Sequence, residues 1–249
     1  MSFEGRAAIV TGGTRGLGAA ASRRLLEAGT HVLAVYAGNE VEAGSFADSV
    51  RDLPGMLTTH RADVGDAGAC GEVVAAVIER HGRLDHLVNN AGLLIENPLR
   101  KVTGGEWDRL ISVNLSAAFH LAQAAIPHMI EAGFGRIVNV SSVTAVMGSP
   151  VEAAYGAAKA GLHGLTRSLA LAVARKGITA NVVVPGVFET AMTNSMRPED
   201  QEAVKAMIPL GRRGDPDECA HAVMYLLDER AGYVTGSVVT VDGGLSMGG

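Results

Sequence analysis

Short apolar, β-prone runs alternate with helix-length segments along the whole of this chain, and that alternation limits its fold more than any other feature. Runs at 7–10, 31–36, 56–61, 84–88, 136–140, 179–184 and 237–241 read as strands. Helix patterns separate them at 19–28, 67–81, 107–132, the Ala-rich stretch after 152, and 215–227. Strands spaced by helices are joined in parallel, because a parallel pair needs a long crossover connection. The expectation is an α/β fold with one parallel sheet covered on both faces. At 249 residues and 47% hydrophobic, the chain suits one large domain spanning 1–249 better than two.

Charge and cysteine usage exclude several classes. A net charge of −5, with no Lys/Arg run longer than two, argues against a nucleic-acid partner. Cys70 and Cys219 form no C-x-x-C, which suits reduced thiols in a reducing compartment. The start M-S-F-E-G-R lacks an apolar signal core, and no apolar run approaches ~18–20 uninterrupted residues. A soluble, cytoplasmic protein without membrane contact is expected. The 8 histidines show neither H-x-H nor H-E-x-x-H spacing, so no metal is expected and His120, His163 and His221 read as structural.

The first strand stops at Thr11-Gly12-Gly13-Thr14-Arg15-Gly16-Leu17-Gly18 before a helix. Strand, glycine turn and helix aim backbone N–H groups at a phosphate, although G-x-x-x-G-x-G meets the general dinucleotide pattern only loosely. The second strand ends in Tyr36-Ala37-Gly38-Asn39 with no carboxylate for a ribose, and Arg15 could pair with a 2′-phosphate. The pair leans toward NADP(H) over NAD(H). Asp63, after the third strand, could meet an adenine amino group or cap the next helix. Asn89 and Asn90 could stabilise the sheet centre or touch a ligand. Asn114, inside a long helix, either faces solvent or holds something specific.

Tyr155 and Lys159 stand four residues apart in a helix-favouring stretch, so their side chains share a face. A nearby ammonium lowers a phenol's pKa from ~10 toward working pH. Ser142, just beyond the strand 136–140, could be a second donor to a carbonyl oxygen. Met192, Met196 and Met207 in the Pro-flanked insert 190–214 suggest a mobile lid over an apolar pocket.

Together T-G-G-T-R-G-L-G at 11–18, N-N-A-G at 89–92, Asn114, Ser142, Y-G-A-A-K at 155–159 and P-G-V-F-E-T at 185–190 resemble the short-chain dehydrogenase/reductase family. The resemblance covers nearly the whole chain, in order and at family spacing. It is nearest the β-ketoacyl-carrier-protein reductases, through Y-A-G-N at 36–39, P-G-V-F-E-T-A-M-T at 185–193 and Y-V-T-G-S-V-V-T-V-D-G-G at 233–244. R-I-V-N-V-S-S-V at 136–143 and K-A-G-L-H-G-L-T at 159–166 are similar to acetoacetyl-CoA reductases.

The resemblance implies a Rossmann-type doubly wound sheet of about seven strands and a homotetramer pairing helices 107–132 and 152–175. It implies that Gly12, Gly16 and Gly18 accommodate the pyrophosphate, with Thr14 and Leu17 beside them and Arg15 on the 2′-phosphate. Tyr36, Asp63 and Val64 fall on the adenine side, and Asn90, Ala91 and Gly92 line the adenosine. Pro185, Gly186, Val187 and Thr190 position the nicotinamide. Tyr155 is the general acid, Ser142 polarises the carbonyl, Lys159 binds the nicotinamide ribose, and Asn114 anchors a proton-relaying water.

The implied reaction is NADPH-dependent reduction of a 3-oxoacyl thioester on acyl carrier protein or coenzyme A. Another ketone or secondary alcohol is the alternative, and a non-catalytic dinucleotide-binding protein a remote one. E-A-G-F-G-R at 131–136 departs from the carrier-protein reductases, placing Gly133 and Phe134 where a basic residue often stands. Lys176, Arg175 and Arg136 are then expected at the rim of the site, attracting an acidic carrier.

Overall fold

A computed structural model describes residues 3–194 and 197–248. Seven strands form one parallel sheet in the order β3-β2-β1-β4-β5-β6-β7. They are β1 (Ala7–Thr11), β2 (His31–Tyr36), β3 (Leu57–Arg61), β4 (His86–Asn89), β5 (Gly135–Val140), β6 (Ile178–Pro185) and β7 (Val238–Val241). The helices are α1 (Gly16–Glu27), α2 (Glu40–Val50), α3 (Ala67–His81), α4 (Gly104–Ile111), α5 (Ala117–Ala132), α6 (Thr144–Met147), α7 (Ala153–Val173), α8 (Ala191–Asn194), α9 (Pro198–Met207) and α10 (Pro216–Leu227).

Alternate strand residues feed opposite faces, as a two-residue period requires. Ile9, Leu87 and Ile137 join the layer containing Val73, Val77, Leu121 and Met129 from α3 and α5. Val10, Val88 and Val138 join the other, with Leu25 and Leu26 of α1 and Val223 of α10. Strand order reverses between β1 and β4, and in such sheets ligands bind at that switch, beyond the carboxyl ends of the strands.

The helix expected over 107–132 begins at Gly104 and contains a π turn, Ser112–Ser116, between α4 and α5. Gly104–Ala132 is long and apolar enough to cross a membrane by length and composition alone, although Ser112, Asn114, Ser116 and Pro127 interrupt its apolar run. Here Leu121, Ala122, Ala125 and Met129 are spent on the sheet, which makes it a core helix. Asp63 does not cap α3: that role falls to Asp66, whose carboxylate accepts from Ala69 N at 2.9 Å.

The amino ends of the strands hold a separate buried polar group. Asp85 accepts from Arg6 at 2.9 Å, from Arg83 at 2.7 and 2.8 Å, and from Ala7 N at 2.9 Å. Buried Arg136 donates to the carbonyls of Gly135, Gly177 and Asp228, and Phe134 lies between the Arg6 and Arg136 guanidiniums at 4.0 and 4.3 Å. Phe134 is thus a structural plug, which accounts for the departure at 131–136. Arg136 is not at the rim of the site, because it starts β5 whereas Ser142 follows the strand's end. Arg175 and Lys176 follow α7 and precede β6, so they too lie at the amino end. From Tyr155 to the end of α7 is roughly 27 Å at 1.5 Å per residue.

Candidate active site

The glycine turn leaves β1 and is gripped by the residues after β4. Thr11 Oγ1 accepts from Asn90 N at 3.0 Å and Ala91 N at 2.9 Å, while Asn90 Nδ2 donates to Thr11 O at 2.9 Å and Gly12 O at 3.3 Å. Asn90 therefore shapes the turn with its side chain. A Cβ on Gly18 would lie 2.1 Å from Gly12 O and 2.4 Å from Asn90 Nδ2, so that glycine is required by packing. Gly16 has φ +52° and an open surface, its nearest neighbour being Thr190 Cγ2 at 3.7 Å from an added Cβ. Thr14 is buried, Leu17 packs on the α1 layer, and Arg15 is exposed.

Arg15 is the N-cap of α1 and gives it no side-chain cap, and no acidic residue stands in the first turn. By contrast α2, α3 and α10 are capped by Asn39, Asp66 and Asp215. Uncapped N–H groups at the end of a glycine turn suit the phosphates of a dinucleotide. At the next strand ends, Tyr36 is partly exposed and pairs in register with Arg61, whose Nε donates to Ala37 O at 3.3 Å. Asp63 Oδ1 accepts from Gly65 N at 2.9 Å, and Arg109 lies 2.9 Å from Oδ2. The Arg109 hydrogen bond holds the Asp63 carboxyl below its ordinary pKa. Val64 turns its side chain into the core.

Asn114, in the π turn, is buried, and it uses its amide on two backbone segments. Nδ2 donates to Leu93 O at 2.9 Å and Leu110 O at 3.0 Å, and Oδ1 accepts from Leu93 N at 3.2 Å. A π turn inside an α-helix is a frequent mark of a functional position. Gly92 sits beside Asn114 and Lys159, since an added Cβ would be 3.1 Å from Asn114 Oδ1 and 3.6 Å from Lys159 Nζ. A small cavity is bounded by Thr11, Asn89, Asn114 and Leu162, and Asn89 Oδ1 is a buried oxygen without a hydrogen-bond partner among the described residues.

Ser142 follows β5, and the loop is tied to the end of β6 by Val143 N to Pro185 O at 3.0 Å. Gly186 N continues that tie to Val241 O at 2.9 Å, and a Cβ on Gly186 would strike Asp242 Cα at 2.7 Å. Val187 O accepts from Gly214 N, and Thr190 N donates to Thr193 Oγ1, which closes the loop beside the glycine turn.

Lys159 is buried on α7, and its Nζ donates to Val140 O at 2.8 Å, 5.8 Å from the Tyr155 ring centre. Burial pushes the Lys159 ammonium down to about 8. Burial also pushes the Tyr155 phenol up, the Ser142 hydroxyl pulls it back, and the Glu152 carboxylate adds to the rise. The sequence expectation of a lowered phenol is thus reversed here, because burial outweighs the Ser142 hydroxyl, while Lys159 Nζ is spent on a strand carbonyl. Thr11 and Glu152 escaped sequence reasoning, being an ordinary strand residue and a loop carboxylate. Glu152 accepts from Thr144 Oγ1 at 2.8 Å just before α7.

A family profile described as enoyl-(acyl carrier protein) reductase matches residues 12–246. The chain is 37% identical to the 3-oxoacyl-[acyl-carrier-protein] reductase of Thermotoga maritima, covering 98% of this chain and 99% of that one. It is 39% identical to the enzyme of that name from Vibrio cholerae, over 99% and 100%. This chain belongs to the short-chain dehydrogenase/reductase family. Among solved members, a putative short-chain alcohol dehydrogenase from Sinorhizobium meliloti superposes with a TM-score of 0.93 at 37% identity, covering 98% of this chain and 97% of that one. A putative gluconate dehydrogenase from Agrobacterium tumefaciens gives 0.92 at 33%, with the same coverage. As a short-chain dehydrogenase/reductase, the chain is an oxidoreductase that uses a nicotinamide dinucleotide, and the uncapped α1 turn fits that cofactor's phosphates.

Proposed function

We propose that this chain reduces 3-oxoacyl thioesters to 3-hydroxyacyl thioesters with NADPH. The observation that carries the proposal is the meeting of Ser142 and Tyr155 at the end of β5 beside buried Lys159. The relatives named as 3-oxoacyl-[acyl-carrier-protein] reductases support the substrate class.

The bound nicotinamide supplies the hydride. Ser142 and Tyr155 then offer two preset donors to the oxygen that gains negative charge, in a site where burial strengthens them. A phenol held above its ordinary pKa stays protonated near pH 7, the form that reduction needs. Lys159, anchored on Val140 O, stands ready for the ribose hydroxyls, and Asn114 fixes Leu93 and the relay water. Gly12, Thr14, Gly16, Leu17 and Gly18 hold the pyrophosphate, Tyr36, Asp63 and Val64 the adenine side, and Pro185, Gly186, Val187 and Thr190 the nicotinamide. Arg15, the exposed N-cap of α1 whose side chain caps nothing, takes the 2′-phosphate.

Segment 190–214 serves as the lid over a single 1–249 domain, with exposed Met207 and Leu210 as its apolar face. Met196 and the Met192 side chain lie outside the described residues. A cytoplasmic homotetramer completes the proposal, supported by exposed Phe119 and Ile130 on α5 and Leu171 on α7. The basic pair Arg175–Lys176 lies at the far end of α7, so an acidic carrier protein drawn to it would not meet this chain's own Tyr155. A second reading, another ketone or secondary alcohol, is favoured by the neighbour titled gluconate dehydrogenase.

The test is absorbance at 340 nm with 3-oxoacyl thioesters, free and carrier-bound, and simple ketones, in NADPH and NADH, for wild type and Arg15→Ala. Thioesters should be turned over with NADPH, and Arg15→Ala should weaken NADPH alone by about 1.5–3 kcal/mol. Turnover of simple ketones only, or equal losses for both cofactors, would refute it.

A further inference from the structure

Three successive residues at the end of β5 meet one ridge of α7. Val140 O accepts from Lys159 Nζ at 2.8 Å. Ser141 Oγ donates to Lys159 O at 2.9 Å and lies 2.9 Å from His163 Nε2. Ser142 adjoins Tyr155. Tyr155, Lys159 and His163 are spaced i, i+4 and i+8, so all three side chains rise from the same face of the helix. Ser141 is buried, and its backbone N–H is already committed to Val183 O at 2.8 Å.

A serine hydroxyl has one proton. Ser141 gives it to Lys159 O, so toward His163 it can only accept. Nε2 of His163 therefore carries a hydrogen, which in the neutral ring leaves Nδ1 as the free acceptor. The hydroxyl is used twice, both times on α7, one residue from Ser142.

We propose that the Ser141–His163 pair is a latch that sets β5 against α7 and thereby fixes Ser142 opposite Tyr155. His163 is a positioning residue: it acts through Ser141 and reaches no substrate. The proposal rests on Ser142, Tyr155 and Lys159 being the catalytic set. Its leverage comes from geometry, since displacing a reacting group by ~1 Å can cost ~10²-fold in rate.

The experiment compares Ser141→Ala, His163→Leu, their double variant and His163→Gln, whose amide N–H can replace the Nε2–H. Each is assayed for kcat, KM and the NADPH dissociation constant on the best thioester found, with Tyr155→Phe alongside. Ser141→Ala and His163→Leu should each lower kcat by roughly 5- to 30-fold while cofactor affinity stays within about twofold. The double variant should fall no further than the worse single, as groups acting in one contact do. His163→Gln should recover most of the loss. The ¹⁵N spectrum of His163 should show the Nε2–H form in wild type and in Tyr155→Phe.

Losses that multiply in the double variant, or a kcat within twofold of wild type for either single, would overturn the latch. So would a lowered melting temperature with kcat intact, which is what a merely structural contact gives, or an Nδ1–H tautomer. Tyr155→Phe retaining more than about half of wild-type turnover would instead sink the catalytic assignment, and the tautomer still reports on the bond itself.

Discussion

At the scale of single residues, the site works by withholding water from groups that water would otherwise level. Lys159 keeps its ammonium buried only because Val140 O receives it, and burial then lowers its pKa to about 8. The Tyr155 pKa is pushed the other way, because burial favours the neutral form of both groups. A proton donor flanked by a second hydroxyl is what a ketone oxygen needs as it becomes an alkoxide. Deleting that one oxygen with Tyr155→Phe should cost about 10²–10⁴ in turnover. Fold and NADPH binding should hardly change, because the ring and its packing remain. Steady-state rates beside a cofactor titration settle the matter, and a matching loss of cofactor affinity would mean the phenol serves binding instead.

At the scale of elements, the first βα unit does two jobs with one set of glycines. Gly18 is small because the carbonyl of Gly12 and the amide of Asn90 leave no room, whereas Gly16 is open but has a positive φ. Gly18→Ala should therefore break the grip of Asn90 on the turn. Expected costs are about 1–3 kcal/mol of stability from overpacking, with NADPH affinity reduced in parallel. Gly16→Ala meets no neighbour closer than 3.7 Å, so backbone strain of about 1–2 kcal/mol is its main penalty. Urea titration and cofactor binding of the two variants separate these causes. Equal stability of wild type and Gly18→Ala would show that the turn has slack the packing does not reveal.

Across the whole molecule, the sheet separates chemistry from anchorage. Its carboxyl ends carry the reactive groups, and its amino ends carry Asp85, Arg6, Arg83, Arg136 and His86. Burial works against the Asp85 charge, but hydrogen bonds from Arg83, Ala7 N and Arg6 outweigh it and hold its pKa down. His86 is fully buried, both ring nitrogens lack hydrogen-bond partners among the described residues, and burial pushes it down to about 3. Between pH ~6.5 and about 3 the unfolded chain binds a proton at His86 that the folded one refuses. Stability should therefore fall as pH drops through that window, by at most ~1.4 kcal/mol per pH unit from this group. His86→Ile, a strand-favouring replacement, should remove that slope. It should also raise stability near pH 7 by about 1–3 kcal/mol, the cost of an unsatisfied buried group. Denaturant melts at pH 7, 6 and 5 decide it, and identical pH slopes in wild type and variant would count against this account of His86.

Much of this was legible in the sequence because it is set locally. Strand and helix periods follow from side chains a few positions apart, so all seven strands lie within two residues of their expected bounds. The glycine turn, Ser142 and the Tyr155–Lys159 spacing were readable for the same reason: a turn's φ and a helix's period belong to the segment itself. Only the tertiary structure decided what depends on partners far along the chain. Asp63 had two readings until Arg109 arrived from α4, and Asn114 had two until Leu93 folded over it. The direction of the Tyr155 shift turned on how deeply the fold buries the phenol. Arg136, Arg175 and Lys176 looked like a docking rim in one dimension, yet strand polarity carries them to the opposite end of the sheet. Charge, burial and direction are properties of neighbours, and in a parallel sheet the neighbours come from strands dozens of residues away.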